Sequence, residues 1–182
     1  MSGVDLSRAR VFFQDETRIG LMVILRRVLT LMGIKPVLSF QHRFDNFYLY
    51  GAVEPSTGDR FCIELPYLNA EMFQIFIDKF SEKYPDTINI MVVDNGRYHI
   101  AKSLEIPNNV KFVFLPPYSP ELNPIERLWQ FIKGKLALSV FNNLEEVQKR
   151  VDDILNKLTD FEVRSITGYR YITNAINALS II

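Results

Sequence analysis

The sequence predicts an α/β domain built on one mixed sheet, antiparallel in its first strands and parallel in its last. Three features carry this expectation. NFYLYGAVEPSTGDRFCIEL pairs two strand-like runs, Phe47–Val53 and Arg60–Leu65, across the turn residues PSTGD, which is a hairpin signal. TINIMVVDNG and KFVFL are nearly continuous apolar runs, the pattern of strands buried on both faces in a parallel arrangement. Around them lie segments whose apolar residues recur at helical spacing.

Taken in chain order, the first strand is Arg10–Gln14, within the β-branched and aromatic run ARVFFQDE. Residues 17–45 give no clear assignment beyond a turn marked by Gly33 and Pro36. After the hairpin, a helix is expected from about Asn69 to Lys83, with Met72, Phe73, Phe76, Ile77 and Phe80 on one face and Tyr84–Pro85–Asp86 closing it. The strand in TINIMVVDNG stops at Asp94, and Lys111–Leu115 is the next. A loop with four prolines in nine positions, PPYSPELNP, follows. It runs into a helix from about Pro124 to Leu138, whose Ile125, Leu128, Trp129, Ile132 and Leu136 form an apolar stripe. A last amphipathic helix near Leu144–Leu158 buries Leu144, Val147, Val151, Ile154, Leu155 and Leu158. No repeat, low-complexity tract or Gly/Ser linker divides the chain, so residues 1–182 read as one domain.

Composition narrows the function classes. With 48% hydrophobic and 23% charged residues the chain has the make-up of a soluble globular domain, and 14 Phe with 8 Tyr imply an aromatic core. The apolar run Gly20–Leu25 is far too short to cross a bilayer and ends at Arg26 and Arg27. No apolar segment of signal-peptide type opens the chain, so a cytoplasmic location is expected. The single cysteine, Cys62, excludes an internal disulfide and a cysteine-based zinc cluster, and reads as a small buried hydrophobe. A formal net charge of zero argues against a general nucleic-acid coat. The charge is unevenly spread, however: residues 97–140 carry six Lys/Arg against three Asp/Glu.

Three carboxylates fall at the ends of elements. Asp15 follows the first strand, Asp94 follows a central strand, and Glu126 lies in the first turn of a helix. Clustered carboxylates are the hard-oxygen donors that Mg²⁺ or Mn²⁺ prefers. Three acids suffice for two ions about 3.5–4 Å apart, the spacing used for in-line displacement at phosphorus. Each acid also has an ordinary explanation. Asp15 and Asp94 suit turns. Asn123 as N-cap with Pro124 in the first helical position makes Glu126 a favourable partner of the helix dipole.

The segments VVDNGRYHIAK and FLPPYSPELNPIERLWQFIK resemble the DDE transposases of the mariner superfamily, in their bacterial insertion-sequence branch. There an Asp-Asn-x-x-x-His stretch carries the second acid and the proline-rich stretch the third; FFQDET is similar to the first-acid segment. The resemblance spans roughly Arg10 to Leu138. It implies a ribonuclease H-like fold with Asp15, Asp94 and Glu126 as catalytic residues and metal ligands, Mg²⁺ as cofactor and Mn²⁺ as its substitute. The implied reaction is cleavage at transposon ends followed by attack of the freed 3′-hydroxyl on target DNA. The implied partners are terminal inverted repeats, target DNA and a second copy in a homodimer or synaptic complex, with the protein at the nucleoid when bound. Two departures stand out. Only 31 residues separate Asp94 from Glu126, fewer than is usual in the family. The first strand begins within about ten residues of Met1, so no N-terminal helix-turn-helix module is expected in this chain. A separate helix-turn-helix subunit, as in a split transposase, would then supply it; a decayed element is the other explanation.

Among supporting residues, His99 suits a bond to phosphate or a role behind Asp94, and Asn95 a turn or the orientation of Asp94. Asn123 is expected to cap the helix bearing Glu126, and Trp129 to pack in the core. Arg127, Lys133 and Lys135 are candidate phosphate contacts, and Tyr118 at the loop tip a candidate stacking residue. Two alternatives stay open: another ribonuclease H-like nuclease, such as a ribonuclease H or a Holliday-junction resolvase, and a catalytically silent DNA-binding or interaction remnant. The proline motif speaks against the first. The presence of all three acids speaks against the second.

Overall fold

A computed structural model describes residues 9–179 except Val28, Ile34, Pro36, 38–42 and Tyr118. Its elements are β1 (Ala9–Gly20), β2 (Asn46–Val53), β3 (Arg60–Leu65), α1 (Ala70–Lys83), β4 (Ile88–Val93), β5 (Val110–Phe114), α2 (Ile125–Leu136), α3 (Leu144–Lys157), α4 (Asp160–Thr167) and α5 (Arg170–Leu179). A 3-10 turn at Pro120–Leu122 precedes α2. The five strands form one sheet in the order β3-β2-β1-β4-β5. The β1–β2 and β2–β3 pairs are antiparallel, and β1–β4 and β4–β5 are parallel, so the expected mixed sheet is present.

The helices cover the sheet on both faces. Phe73, Phe76, Ile77 and Phe80 of α1 pack on Phe12, Tyr50, Met91, Val93 and Val110. On the other face Ile125, Leu128, Trp129 and Ile132 of α2, with Val147 and Val151 of α3, meet Phe13, Leu49, Val53 and Val92, and Cys62 packs partly buried beside them. Each such side chain contributes about 1.5–3 kcal/mol through burial. Arg60 on β3 donates to the carbonyls of Leu155 (2.8 Å) and Leu158 (2.5 Å), pinning the C-terminal end of α3 to the sheet edge.

Two features depart from expectation. β1 runs on to Gly20 rather than ending at Gln14, because Asp15–Gly20 pair with Asn46–Gly51 of β2. That long-range ladder has no local apolar signature in DETR. The helices α4 and α5 were not anticipated; they are short, and Gly168 separates them. A capping box between Thr159 and Glu162 marks the start of α4 and was the available signal. The turn at Gly33 is present, with a positive φ of 84°, whereas Pro36 lies outside the described residues. No helix among the described residues is long and apolar enough to cross a membrane.

Register positions the site. Phe13 pairs with Val92 in the parallel β1–β4 ladder, and the same offset carried past the end of β4 puts Asp15 level with Asp94. On the other side Asp15 pairs with Gly51 of β2. A Cβ added to Gly51 would come 2.5 Å from Trp129 Cη2 and 3.2 Å from Ile125 Cδ1, so α2 lies directly on this glycine. Gly51→Ala is expected to lower stability by about 1–3 kcal/mol through overpacking. Urea unfolding checks it, as a lower midpoint at unchanged m-value.

Candidate active site

Asp15, Asp94 and Glu126 line one cleft of about 440 Å³, together with Asn95, Asn123 and the proline loop. Asp15 lies within β1 rather than at its end. It is nonetheless at an edge of pairing, because β4 stops at Val93 and leaves that flank of β1 open. Its Oδ2 accepts a hydrogen bond from Trp129 Nε1–H at 3.0 Å. Trp129 is only 1% exposed, so the expected core residue also holds a polar partner. Burial, reinforced by the charges of Glu16 and Glu126, pushes the Asp15 carboxyl up to about 8.

Asp94 follows β4 directly. Its Oδ1 accepts from the Gly96 N–H at 2.7 Å and lies 2.7 Å from His99 Nδ1. The bond to His99 holds the Asp94 carboxyl below the ordinary range. His99 is 2% exposed, and its Nε2 is 3.3 Å from Glu16 Oε1. Burial pulls the imidazole down, but the bonds to Asp94 and Glu16 and the charges of both outweigh it and lift the ring to about 9. His99 is therefore an imidazolium clamped between two carboxylates, and it lies behind Asp94 rather than in the cleft.

Glu16 is the residue that sequence reasoning missed. Its side chain is 2% exposed, with Gln14 Nε2 donating to Oε1 at 2.7 Å and the Tyr98 hydroxyl donating to Oε2 at 2.8 Å. Strand alternation sends Gln14 and Glu16 to the opposite face from Asp15. Two polar residues aimed at the aromatic α1 face were the signal for a buried network.

Glu126 sits in the first turn of α2, its N–H bonded to the Asn123 carbonyl at 3.2 Å. Asn123 does not cap that helix with its side chain, contrary to expectation; Pro124 occupies the N-cap position. The Asn123 N–H closes the 3-10 turn onto the Pro120 carbonyl, and its buried amide turns away to donate to the Gln14 carbonyl at 2.9 Å. It anchors the start of α2 to β1 beside Asp15, and its Oδ1 has no protein partner. Asn95 does not touch the Asp94 carboxylate. It donates to the Leu115 carbonyl at 2.6 Å and ties the Asp94 turn to the entry of the proline loop. The short link between Asp94 and Glu126 is accommodated by a β4–β5 connection without a helix.

Other candidates are dispersed. Arg127 lines an adjoining cavity that shares Glu126. Lys133 lines a separate one with Arg18 and Arg43. Lys135 reaches the Phe131 ring. Tyr118 lies outside the described residues. Among the described residues no three acidic, histidine or cysteine side chains are already grouped to hold a metal ion. The titratable side chains lining the cleft are nevertheless all carboxylates, those of Asp15, Asp94 and Glu126, with no histidine or cysteine among them. That set suits Mg²⁺ or Mn²⁺ rather than a soft metal, and a cation would offset both the burial and the neighbouring carboxylate charges that raise Asp15.

Residues 10–148 match the family described as DDE superfamily endonuclease. The uncharacterized protein y4pE/y4sA of Sinorhizobium fredii (strain NBRC 101917 / NGR234) is 32% identical over 115 residues, covering 62% of this chain and 85% of that protein. The insertion element IS630 uncharacterized 39 kDa protein of Shigella sonnei is 31% identical over 157 residues, covering 83% of this chain and 46% of that protein. In three dimensions the chain is similar to the Mos1 transposase in its paired-end complex with the left transposon end. The TM-score is 0.66 at 20% identity, over 87% of this chain and 51% of the transposase. It is similar also to the Mos1 mariner paired end complex with Mn, with a TM-score of 0.61 at 21% identity, over 85% of this chain and 50% of that one. The chain thus spans about half the length of the IS630 protein and of the Mos1 transposase. The strand order, the mixed pairing and this likeness are those of a ribonuclease H-like core. The chain belongs to the DDE superfamily endonucleases.

Proposed function

We propose that this domain cleaves DNA strands at transposon ends and transfers them to target DNA, with Asp15, Asp94 and Glu126 as its catalytic acids and ligands of Mg²⁺ or Mn²⁺. The observation that carries this reading is the convergence of the three acids, from β1, the end of β4 and the start of α2, on one cleft. When bound, the cation supplies charge neutralisation for displacement at phosphorus. The chain's own residues do the positioning. Trp129 fixes the orientation of Asp15. His99 and the Gly96 N–H both engage Oδ1 of Asp94, leaving Oδ2 for the cleft. Asn123 locks the start of α2, and with it Glu126, against β1. DNA as partner is supported by the likeness to a transposase seen in a paired-end complex with its transposon end, and a homodimer or synaptic complex is part of the proposal.

The test is cleavage of duplexes carrying the terminal repeats of the element that encodes the chain, with Mg²⁺ or Mn²⁺. Strand scission leaving a 3′-hydroxyl, lost in Asp94→Asn, is the expected result. Cleavage of RNA–DNA hybrids with no action on the repeats would overturn the reading in favour of a ribonuclease. No Mn²⁺ binding, with no change on Asp94→Asn, would favour a silent module.

Two further outcomes follow from the site. An Asp15 carboxyl held at about 8 must release its proton to solvent for a cation to bind below that pH. Mn²⁺ affinity is therefore expected to rise about tenfold per pH unit up to about pH 8 and then level off, with about one proton released per binding event. Calorimetry in buffers of different ionisation enthalpy measures both. Glu16→Gln removes the charge that holds His99 behind Asp94. The turnover rate is expected to fall about 10–100-fold with little change in DNA affinity, as when an outer partner of a ligand is lost.

A further inference from the structure

The cavity that adjoins the cleft across Glu126 has a volume of about 520 Å³ and a different chemistry. Its walls are Asn123, Glu126, Arg127 and Gln130 on the α2 side and Tyr169 and Tyr171 on the α5 side. The two tyrosine rings stack with centroids 5.5 Å apart and planes 12° from parallel. The Arg127 guanidinium lies 5.6 Å from the Tyr169 ring centre, extending the column with a cation. The Tyr171 hydroxyl donates to the Glu121 carbonyl at 2.8 Å, which ties the ring to the 3-10 turn of the proline loop. The ring is 50% exposed although it is so anchored. Arg127 and Gln130 are exposed as well. Both tyrosines lie beyond residue 148, outside the segment that the family match covers.

The geometry points to a subsite for one unpaired nucleotide next to the strand being cut, its base stacked on Tyr171 and its phosphate beside Arg127. The inference rests on the DNA-cleaving reading of the acid cleft. Three observations carry it beyond that reading. The cavity shares Asn123 and Glu126 with the cleft, so whatever fills it lies directly alongside a strand held at the acids. Its aromatic surface is rigid in advance, held by the stack and by the Glu121 bond, so little order remains to be imposed on binding. The formal net charge of zero gives the chain no overall charge attracting it to DNA, and stacking supplies a contact that does not depend on one. Gln130 adds an amide able to bond the edge of a base. A paired base presents its faces to its neighbours in the helix and is not free to stack here, which makes the subsite selective for unpaired or splayed-out nucleotides.

The experiment compares a fully paired transposon-end duplex with the same duplex carrying a short unpaired 3′ overhang that contains 2-aminopurine. Binding is measured by anisotropy, with Ca²⁺ replacing Mg²⁺ to keep the DNA intact. Wild-type protein should quench the 2-aminopurine. Tyr171→Leu should weaken binding of the overhang DNA roughly 5- to 150-fold, the equivalent of one base–aromatic stack, and leave the paired duplex unchanged. Tyr171→Phe keeps the ring and should retain the preference. Equal losses on both DNAs, or no loss on either, would overturn the subsite while leaving the cleavage reading standing. If Tyr171→Leu melts early, the wild-type quench decides alone, and an unquenched probe overturns the proposal. A wild-type protein that binds neither DNA would overturn the functional reading and this subsite together.

Discussion

Asp15→Asn is expected to make the metal-free protein more stable and nearly inactive at once. In the folded state the Asp15 carboxyl is held up to about 8, chiefly by burial and then by the charges of Glu16 and Glu126. In the unfolded chain it titrates near its ordinary value of 3.8. Between those two values the unfolded state has released a proton that the folded state retains, so the folded state loses stability as pH rises through that window. Below about pH 4 both states are protonated and the penalty is absent. At pH 7 it amounts to at most about 4 kcal/mol. Asparagine is neutral in both states and keeps an oxygen to accept from Trp129 Nε1–H, so it removes the penalty without removing the bond. Melting in a chelator should show a gain of about 2–4 °C per kcal/mol, growing with pH from about 4 to 8. On the proposed reading cleavage should fall about 10³-fold, since a metal ligand worth several kcal/mol to charge stabilisation at the reacting phosphate would be gone. A variant that melts at or below the wild-type temperature at pH 7 would show that Asp15 is not held protonated.

Trp129 is the second position at which a large effect is expected, and there packing and chemistry can be separated. Its indole fills the space above Gly51 and is among the largest fully buried side chains of the fold. Trp129→Ala is expected to destabilise by about 3–5 kcal/mol, the range for a large aromatic deleted from a core. Guanidinium unfolding reads this directly. Trp129→Phe keeps much of the ring volume but has no N–H for Asp15 Oδ2. It should lose only about 1–2 kcal/mol of stability, while cleavage by the folded protein falls about tenfold or more through a misplaced Asp15. Leu128→Ala is the control. It lies on the same buried stripe without a bond to an acid, and its loss of activity should track its loss of fold.

What could be read in the sequence was local, and what could not was set by register. The β2–β3 hairpin, α1, β4 and β5 each announce themselves within a contiguous stretch of about twenty residues or fewer, and their ends match the structure to within a residue or two. The placement of Asp94 and Glu126 at element ends that meet in the cleft was legible for the same reason, since each lies inside a contiguous motif. The role of Glu16 was not. It depends on His99 and Tyr98, more than eighty residues away, meeting the opposite face of β1 from the one that carries Asp15. Asn123 shows the same contrast in one residue. Local rules make it a helix cap, whereas the three-dimensional structure turns its amide onto the Gln14 carbonyl. A helix stripe likewise shows that Trp129 is buried, but it cannot show which polar group the indole will meet.

The offset that sets Asp15 level with Asp94 bears also on how the site comes into being. The two strands are parallel neighbours, yet the hairpin and α1 lie between them in the chain. Closing that ladder spans roughly 80 residues, the kind of distant contact that forms late and slowly in folding. No shorter fragment of the topology brings the two aspartates together. A chain in which β1 and β4 have not paired therefore holds Asp15 and Asp94 apart. On the proposed reading, the topology couples assembly of the site to closure of the β1–β4 ladder.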